Sequence, residues 1–125
     1  MKHLHSFDEL RQINRKIVYA LGTFDGVHRG HQRVIGNAIA AAKAHNAVTV
    51  LVTFSAHPMT ILRPGDVPKR VLSADIMDEI LESLKVDYIL RLPMNLDIFN
   101  MSPDEFLDAL CGDIDVVGIA IGTNF

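Results

Sequence analysis

Apolar residues follow two rhythms along this chain. The apolar run Ile17-Val18-Tyr19-Ala20-Leu21 and the β-branched run Val48-Thr49-Val50-Leu51-Val52-Thr53-Phe54, apolar on both faces, have the length and composition of buried strands. They predict strands over about 16–22 and over 48–54. Between them Val34, Ile35, Ala38, Ile39 and Ala42 recur at helical spacing, with Arg33, Asn37 and Lys43 on other faces. A helix is expected from Gly30 or His31 to about residue 45. Ahead of the first strand, residues 3–15 are polar and mixed. They read as a lead-in in which Ser6 or Asp8 caps a short helix through 11–14.

The character changes after Phe54. Pro58, Pro64, Gly65 and Pro68 break regular structure and predict a long ordered loop, the kind of segment that carries function in compact domains. Ser73 then caps a helix with Ile76, Ile80, Leu81 and Leu84 on one face and Asp75, Asp78 and Glu79 in its first turns. A third strand is expected over 86–92. Ser102-Pro103-Asp104-Glu105 is a capping box with proline at the first helical position, opening a helix that Gly112 stops after Cys111. On that helix Phe106, Leu107 and Leu110 are expected to face inward, with Cys111 buried beside them. Residues 115–121 give a fourth strand.

Strand and helix alternate, so the fold class is α/β, a Rossmann-like, doubly wound parallel sheet with ligands at the carboxyl ends of its strands. The turn after Leu21, the loop after Phe54 and Asn124 all fall at that edge. The 125 residues suit one domain, 49% of them hydrophobic. A net charge of −3 with scattered Lys and Arg argues against a nucleic-acid surface. Cys111 stands alone, so no internal disulfide forms, and no apolar run approaches the roughly 18 residues of a membrane span. The first residues lack the apolar core of a signal peptide. A cytoplasmic protein is the expectation.

The chemistry concentrates in Leu21-Gly22-Thr23-Phe24-Asp25-Gly26-Val27-His28-Arg29-Gly30-His31-Gln32, a strand-to-helix turn. Gly22, Gly26 and Gly30 let the backbone turn tightly, and Gly30 leaves room for a phosphate at the first amides of the helix. His28 and His31 would then flank the same anion. Neither the dinucleotide glycine pattern nor the Walker pattern is present. This block resembles the signature of the HxGH nucleotidyltransferases and, as a continuous stretch, the adenylyltransferase module of prokaryotic FAD synthetases. Thr53-Phe54-Ser55-Ala56-His57-Pro58 resembles that family's T-F-x-P-H-P stretch, with Ala56 where proline is usual. Residues 99–106 and 117–125 are similar to its F-x-x-x-S-x-E-E-F and V-V-G-x-N/D-F segments.

The resemblance implies a nucleotidyltransferase-type fold that moves AMP from ATP to FMN, giving FAD and pyrophosphate. ATP and FMN are then substrates, with Mg²⁺ carried on ATP rather than in a carboxylate site. It makes His28 and His31 catalytic, assigns ATP to Gly22, Phe24, His28, Gly30, His31 and Asn124, and assigns the flavin to Phe54, His57 and Pro58. It also implies that residues 1–125 are an adenylyltransferase domain truncated at its C-terminus, followed in the full-length protein by a riboflavin kinase domain. Its partners are small-molecule nucleotides and flavin, with neither nucleic acid nor membrane. Two other readings stay open: an HxGH transferase with a different phosphorylated acceptor, and a non-catalytic nucleotide- or flavin-binding fragment.

Overall fold

A computed structural model of the chain describes residues 1–22, 29–55 and 74–122. Strand β1 (Lys2–Leu4) leads into α1 (Phe7–Arg11), and β2 (Ile17–Leu21) precedes the long α2 (Arg29–Ala44). After these come β3 (Val48–Phe54), α3 (Ala74–Ser83), β4 (Tyr88–Leu92), α4 (Leu96–Phe99), α5 (Pro103–Cys111) and β5 (Val116–Ile121). The five strands form one sheet in the order β1-β4-β3-β2-β5. Every pair is parallel: β2 and β3 run in register from Ile17 with Val48 to Leu21 with Val52, and β3 and β4 from Val50 with Tyr88 to Phe54 with Leu92.

Helices cover both faces. On one, Ile35, Ala38 and Ala42 of α2 and Met77 and Leu81 of α3 pack on Val18, Ala20, Leu51 and Ile89. The alanines have little bulk, so α2 lies close to the strands. On the other, Leu10 of α1 and Leu110 of α5 pack on Ile17, Tyr19, Leu21, Val50, Val52 and Leu90. Two covered faces explain why β2 is apolar at every step, and why β3 is apolar on both faces with Thr49 and Thr53 its only polar residues, instead of alternating. Buried polar groups on these strands need partners. The hydroxyl of Tyr19 donates to the carbonyl of Leu110 at 2.6 Å, and the amide of Thr49 donates to Oδ2 of Asp87 at 2.9 Å.

Local capping is equally specific. The Ser102 side chain accepts from the Glu105 amide at 3.1 Å while the Glu105 carboxylate accepts from the Ser102 amide at 3.1 Å, and Pro103 occupies the first helical position of α5. Gly112 follows α5, and a Cβ there would sit 2.7 Å from the carbonyl oxygen of Asp108, so only glycine fits.

Several expectations are corrected. The lead-in contains a strand, β1, paired with β4, and its helix ends at Arg11 rather than 14, because Asn14 takes a left-handed backbone at φ 52°. Ser6, not Asp8, is the cap of α1. A one-turn helix, α4, follows β4 where nothing regular was expected; the Asn95 side chain caps it by accepting from the Ile98 amide at 2.9 Å. The α3 stripe is rotated by about one position: Met77 is buried while Ile76 is 46% exposed. On α5, Leu110 is buried and Leu107 is 41% exposed, and Cys111 is half-buried. In both helices the pattern marks a stripe about 100° wide, and the sheet decides which edge of that stripe it covers.

Candidate functional site

The strand order creates a switch point. From β2 the chain moves outward through β3 to β4, then returns across the sheet to place β5 on the other side of β2. Crossovers leaving adjacent strands in opposite directions open a crevice beyond their carboxyl ends, here those of β2 and β5. Two glycines edge that crevice. The amide of Gly22, just past β2, donates to Val52 of β3 at 3.2 Å, and the amide of Gly122, just past β5, donates to Leu21 of β2 at 2.8 Å. A Cβ on Gly122 would meet the Leu21 carbonyl oxygen at 3.5 Å and Cγ2 of Val34, in the second turn of α2, at 3.9 Å. The beginning of α2 therefore lies against the carboxyl end of β5.

Gly30 and His31 are the second and third residues of α2. The first amides of a helix have no partner within it and carry the positive end of its dipole, which favours an anion. The His31 ring is half-buried, with Nδ1 shielded from solvent. Of the residues expected to bind ATP, the structure thus places Gly22, Gly30 and His31 at the crevice; Phe24, His28 and Asn124 lie outside the described residues.

Of the expected flavin residues, Phe54 ends β3 and is half-buried, its ring 6.2 Å from that of Phe106 on α5, which in turn meets Phe7 of α1 edge-on at 6.0 Å. Phe54 is thus partly a core residue. His57 and Pro58 lie outside the described residues. Ser55 turns away from β3 while its amide donates to the Leu92 carbonyl at 2.9 Å, so the exit from β3 is fastened to the end of β4.

One charged group at this edge escaped the sequence reading. Arg91, inside the apolar run of β4, is bonded through Nη2 to Oδ1 of Asp78 on α3, and its Nη1 lies 3.3 Å from Nδ1 of His3 on β1. The signal was an arginine interrupting Tyr88-Ile89-Leu90-Arg91-Leu92, a cost in a parallel strand unless a partner waits. Burial, and then the nearby Asp108, push the Cys111 thiol above the ordinary range, which lowers its thiolate fraction. Among the described residues no three His, Cys, Asp or Glu side chains are grouped to hold a metal, and no helix is long and apolar enough to cross a membrane.

The opposite edge offers a different cleft, of about 370 Å³, at the amino ends of β2 and β5. Its lining mixes Arg15 and Lys16 with Asp113 and Asp115, so it lacks the one-sided charge that the α2 terminus supplies.

Fold and crevice define a doubly wound, parallel α/β protein. The chain belongs to the FAD synthetase family, whose model matches residues 10–125. It is 31% identical over 126 residues to the bifunctional riboflavin kinase/FMN adenylyltransferase of Buchnera aphidicola from Schizaphis graminum, covering 100% of this chain and 40% of that protein. The Bacillus subtilis protein of the same name is 31% identical over 123 residues, covering 97% of this chain and 39% of its own length. The chain thus spans about two fifths of these curated relatives. Among solved structures, a Streptococcus pneumoniae protein described as a macrolide-efflux protein shares the fold at TM-score 0.81 and 22% identity, over 98% of this chain and 41% of that one. A pantoate-beta-alanine ligase from Francisella tularensis, solved in complex with beta-gamma ATP and beta-alanine, aligns at TM-score 0.53 and 23% identity, over 75% of this chain and 36% of its own.

Proposed function

We propose that residues 1–125 act as an FMN adenylyltransferase domain, transferring AMP from ATP to FMN to give FAD and pyrophosphate. The observation that carries this reading is the His-x-Gly-His spacing at the start of α2, with Gly30 and His31 beside the β2/β5 crevice in a chain of the FAD synthetase family. A phosphate oxygen of FMN attacks the α-phosphorus of ATP, the bond from that phosphorus to the β-phosphate oxygen breaks, and pyrophosphate departs. No covalent enzyme intermediate is required. The protein aligns two anions and offsets the charge that grows on the α-phosphoryl oxygens and the leaving group.

Histidines suit that work. A neighbouring phosphate favours the protonated imidazole, in which both ring nitrogens donate. His28 and His31 hold the triphosphate, Gly30 admits it to the helix amides, and Gly22, Phe24 and Asn124 place the nucleotide. Phe54, His57 and Pro58 receive the flavin. Mg²⁺ arrives on the ATP oxygens. The activity is cytoplasmic, and a riboflavin kinase domain follows in the full-length protein, as the names of the curated relatives suggest.

The test is incubation with ATP, Mg²⁺ and FMN, with FAD and pyrophosphate separated by chromatography, beside a variant carrying His28→Ala and His31→Ala. FAD from the parent and its loss of about 10²-fold or more in the variant is the expected result, since both donors act on charge that develops in the transition state. ATP and FMN binding without turnover, in this chain and in a longer one, would make it a binding module instead.

A further inference from the structure

Two helix-to-strand corners meet at the end of the sheet opposite the crevice. One leads from α1 to β2 and the other from α5 to β5, and because β2 and β5 are parallel neighbours the corners lie side by side. Asn14 and Asp113 turn them, each with a left-handed backbone, at φ 52° and 60°. Asn and Asp take that conformation more readily than other side chains. The Ile17 amide donates to the Asp115 carbonyl at 2.9 Å, which ties the corners together at the foot of the strands. They share the lining of the cleft of about 370 Å³, a volume within the ~300–1,000 Å³ of small-molecule pockets. Leu10, Ile17 and Ile114 make its apolar part, the first two buried and the third half-buried. Arg15 and Lys16 stand on one corner and Asp113 and Asp115 on the other, all four exposed. Arg11, also in the lining, is taken by Asp8 at 3.3 Å. Among the described residues none of the other four enters an ion pair or a side-chain hydrogen bond. The cleft therefore carries two cations and two anions that do not neutralise one another.

Such a lining selects by balance. A simple anion, a nucleoside triphosphate included, gains from Arg15 and Lys16 but meets like charge at Asp113 and Asp115, and a simple cation meets the reverse. A molecule that carries both signs is matched at both corners and forms charge-assisted hydrogen bonds at each. We propose that this cleft binds a small zwitterion with an apolar body, of the size and chemistry of a dipeptide. Its carboxylate lies on Arg15 and Lys16, its ammonium on Asp113 and Asp115, and its apolar part against Leu10, Ile17 and Ile114. The site is at the opposite ends of β2 and β5 from the nucleotide crevice, and it stands whether or not the chain transfers AMP.

The experiment titrates leucyl-leucine into the chain and follows backbone amide NMR, beside the N-acetylated and the C-amidated dipeptide, each of which lacks one charge. Shifts are expected at Arg15, Lys16, Ile17, Asp113 and Asp115, saturating with one dissociation constant. Each blocked form is expected to bind about tenfold more weakly, the order of one charge-assisted contact. Two paired substitutions assign the corners. With Arg15→Gln and Lys16→Gln together, C-amidation is expected to cost nothing further while N-acetylation still does; with Asp113→Asn and Asp115→Asn together, the order reverses. All four side chains are exposed, and asparagine suits the left-handed backbone at 113, so unfolding temperatures are expected to stay unchanged. No shift at these amides at millimolar dipeptide, equal binding of the blocked forms, or losses that do not follow the substituted corner would overturn the proposal. None of these outcomes bears on the adenylyltransferase reading, which FAD formation decides.

Discussion

Strands β2 and β5 are neighbours, similar in length and equally apolar, yet they live in different surroundings. All five residues of β2 are buried, whereas no residue of β5 is fully buried. β2 sits between two strands and under helices on both faces. Among the described residues β5 is an edge strand with one helix: α2 covers Val117 and Ala120, while Ile119 and Ile121, on the face they share with Tyr19 and Leu21, stand 40% and 62% exposed. The comparison separates support from opening. β2 anchors the crevice from the middle of the sheet, and β5 forms its other wall at the edge of the described sheet.

Substitutions can break or sharpen that contrast. The largest effect is expected from Leu21→Ala, which leaves a cavity in the centre of the sheet and costs about 2–5 kcal/mol in chemical denaturation. Tyr19→Phe comes next, at about 1 kcal/mol, because it deletes the bond to Leu110 and leaves that carbonyl without its donor. Tyr19 also gives a pH signature. Burial, and less strongly Cys111, raise its pKa in the folded protein, with Arg11 pulling the other way. The unfolded phenol releases its proton near pH ~10 while the folded one retains it, so the stability it confers is present below about pH 10 and is lost as pH rises beyond. Unfolding free energies measured from pH 8 to 11 are expected to fall at the alkaline end in the parent and to flatten there in Tyr19→Phe. Ile121→Ala is expected to change stability least, by about 0.5 kcal/mol or less, since the side chain is already in water. A loss for Ile121→Ala comparable to that for Leu21→Ala would show β5 to be covered on both faces.

The same contrast explains what the sequence made legible. An apolar run announces a strand, so β3 is read to the residue, but β5 reads the same way although half of it is open. Burial depends on what crosses the strand, which local pattern does not carry. β1 is three residues long and begins with Lys2 and His3, too short and too polar for period to speak, and it exists because β4 offers it a free edge. α4 is a single turn, set by the Asn95 cap. Capping chemistry, by contrast, is local, and the Ser102–Glu105 box was readable in full. For the site, the strand-to-helix turn and its Gly30 and His31 were visible from glycine and histidine spacing. The approach of Gly122 to Leu21 was not, because it joins residues about a hundred positions apart. Nor was the pairing of Arg91, whose partners come from α3 and β1.

The central claim, that the nucleotide enters at the carboxyl ends of β2 and β5, is tested most directly by backbone amide NMR with a non-hydrolysable ATP analogue and Mg²⁺. The expected result is a set of shifted amides around Gly22, Gly30, His31 and Gly122, saturating together with a single dissociation constant. Shifts confined to Lys16, Ile17, Asp113 and Asp115, at the amino-end cleft, would contradict it.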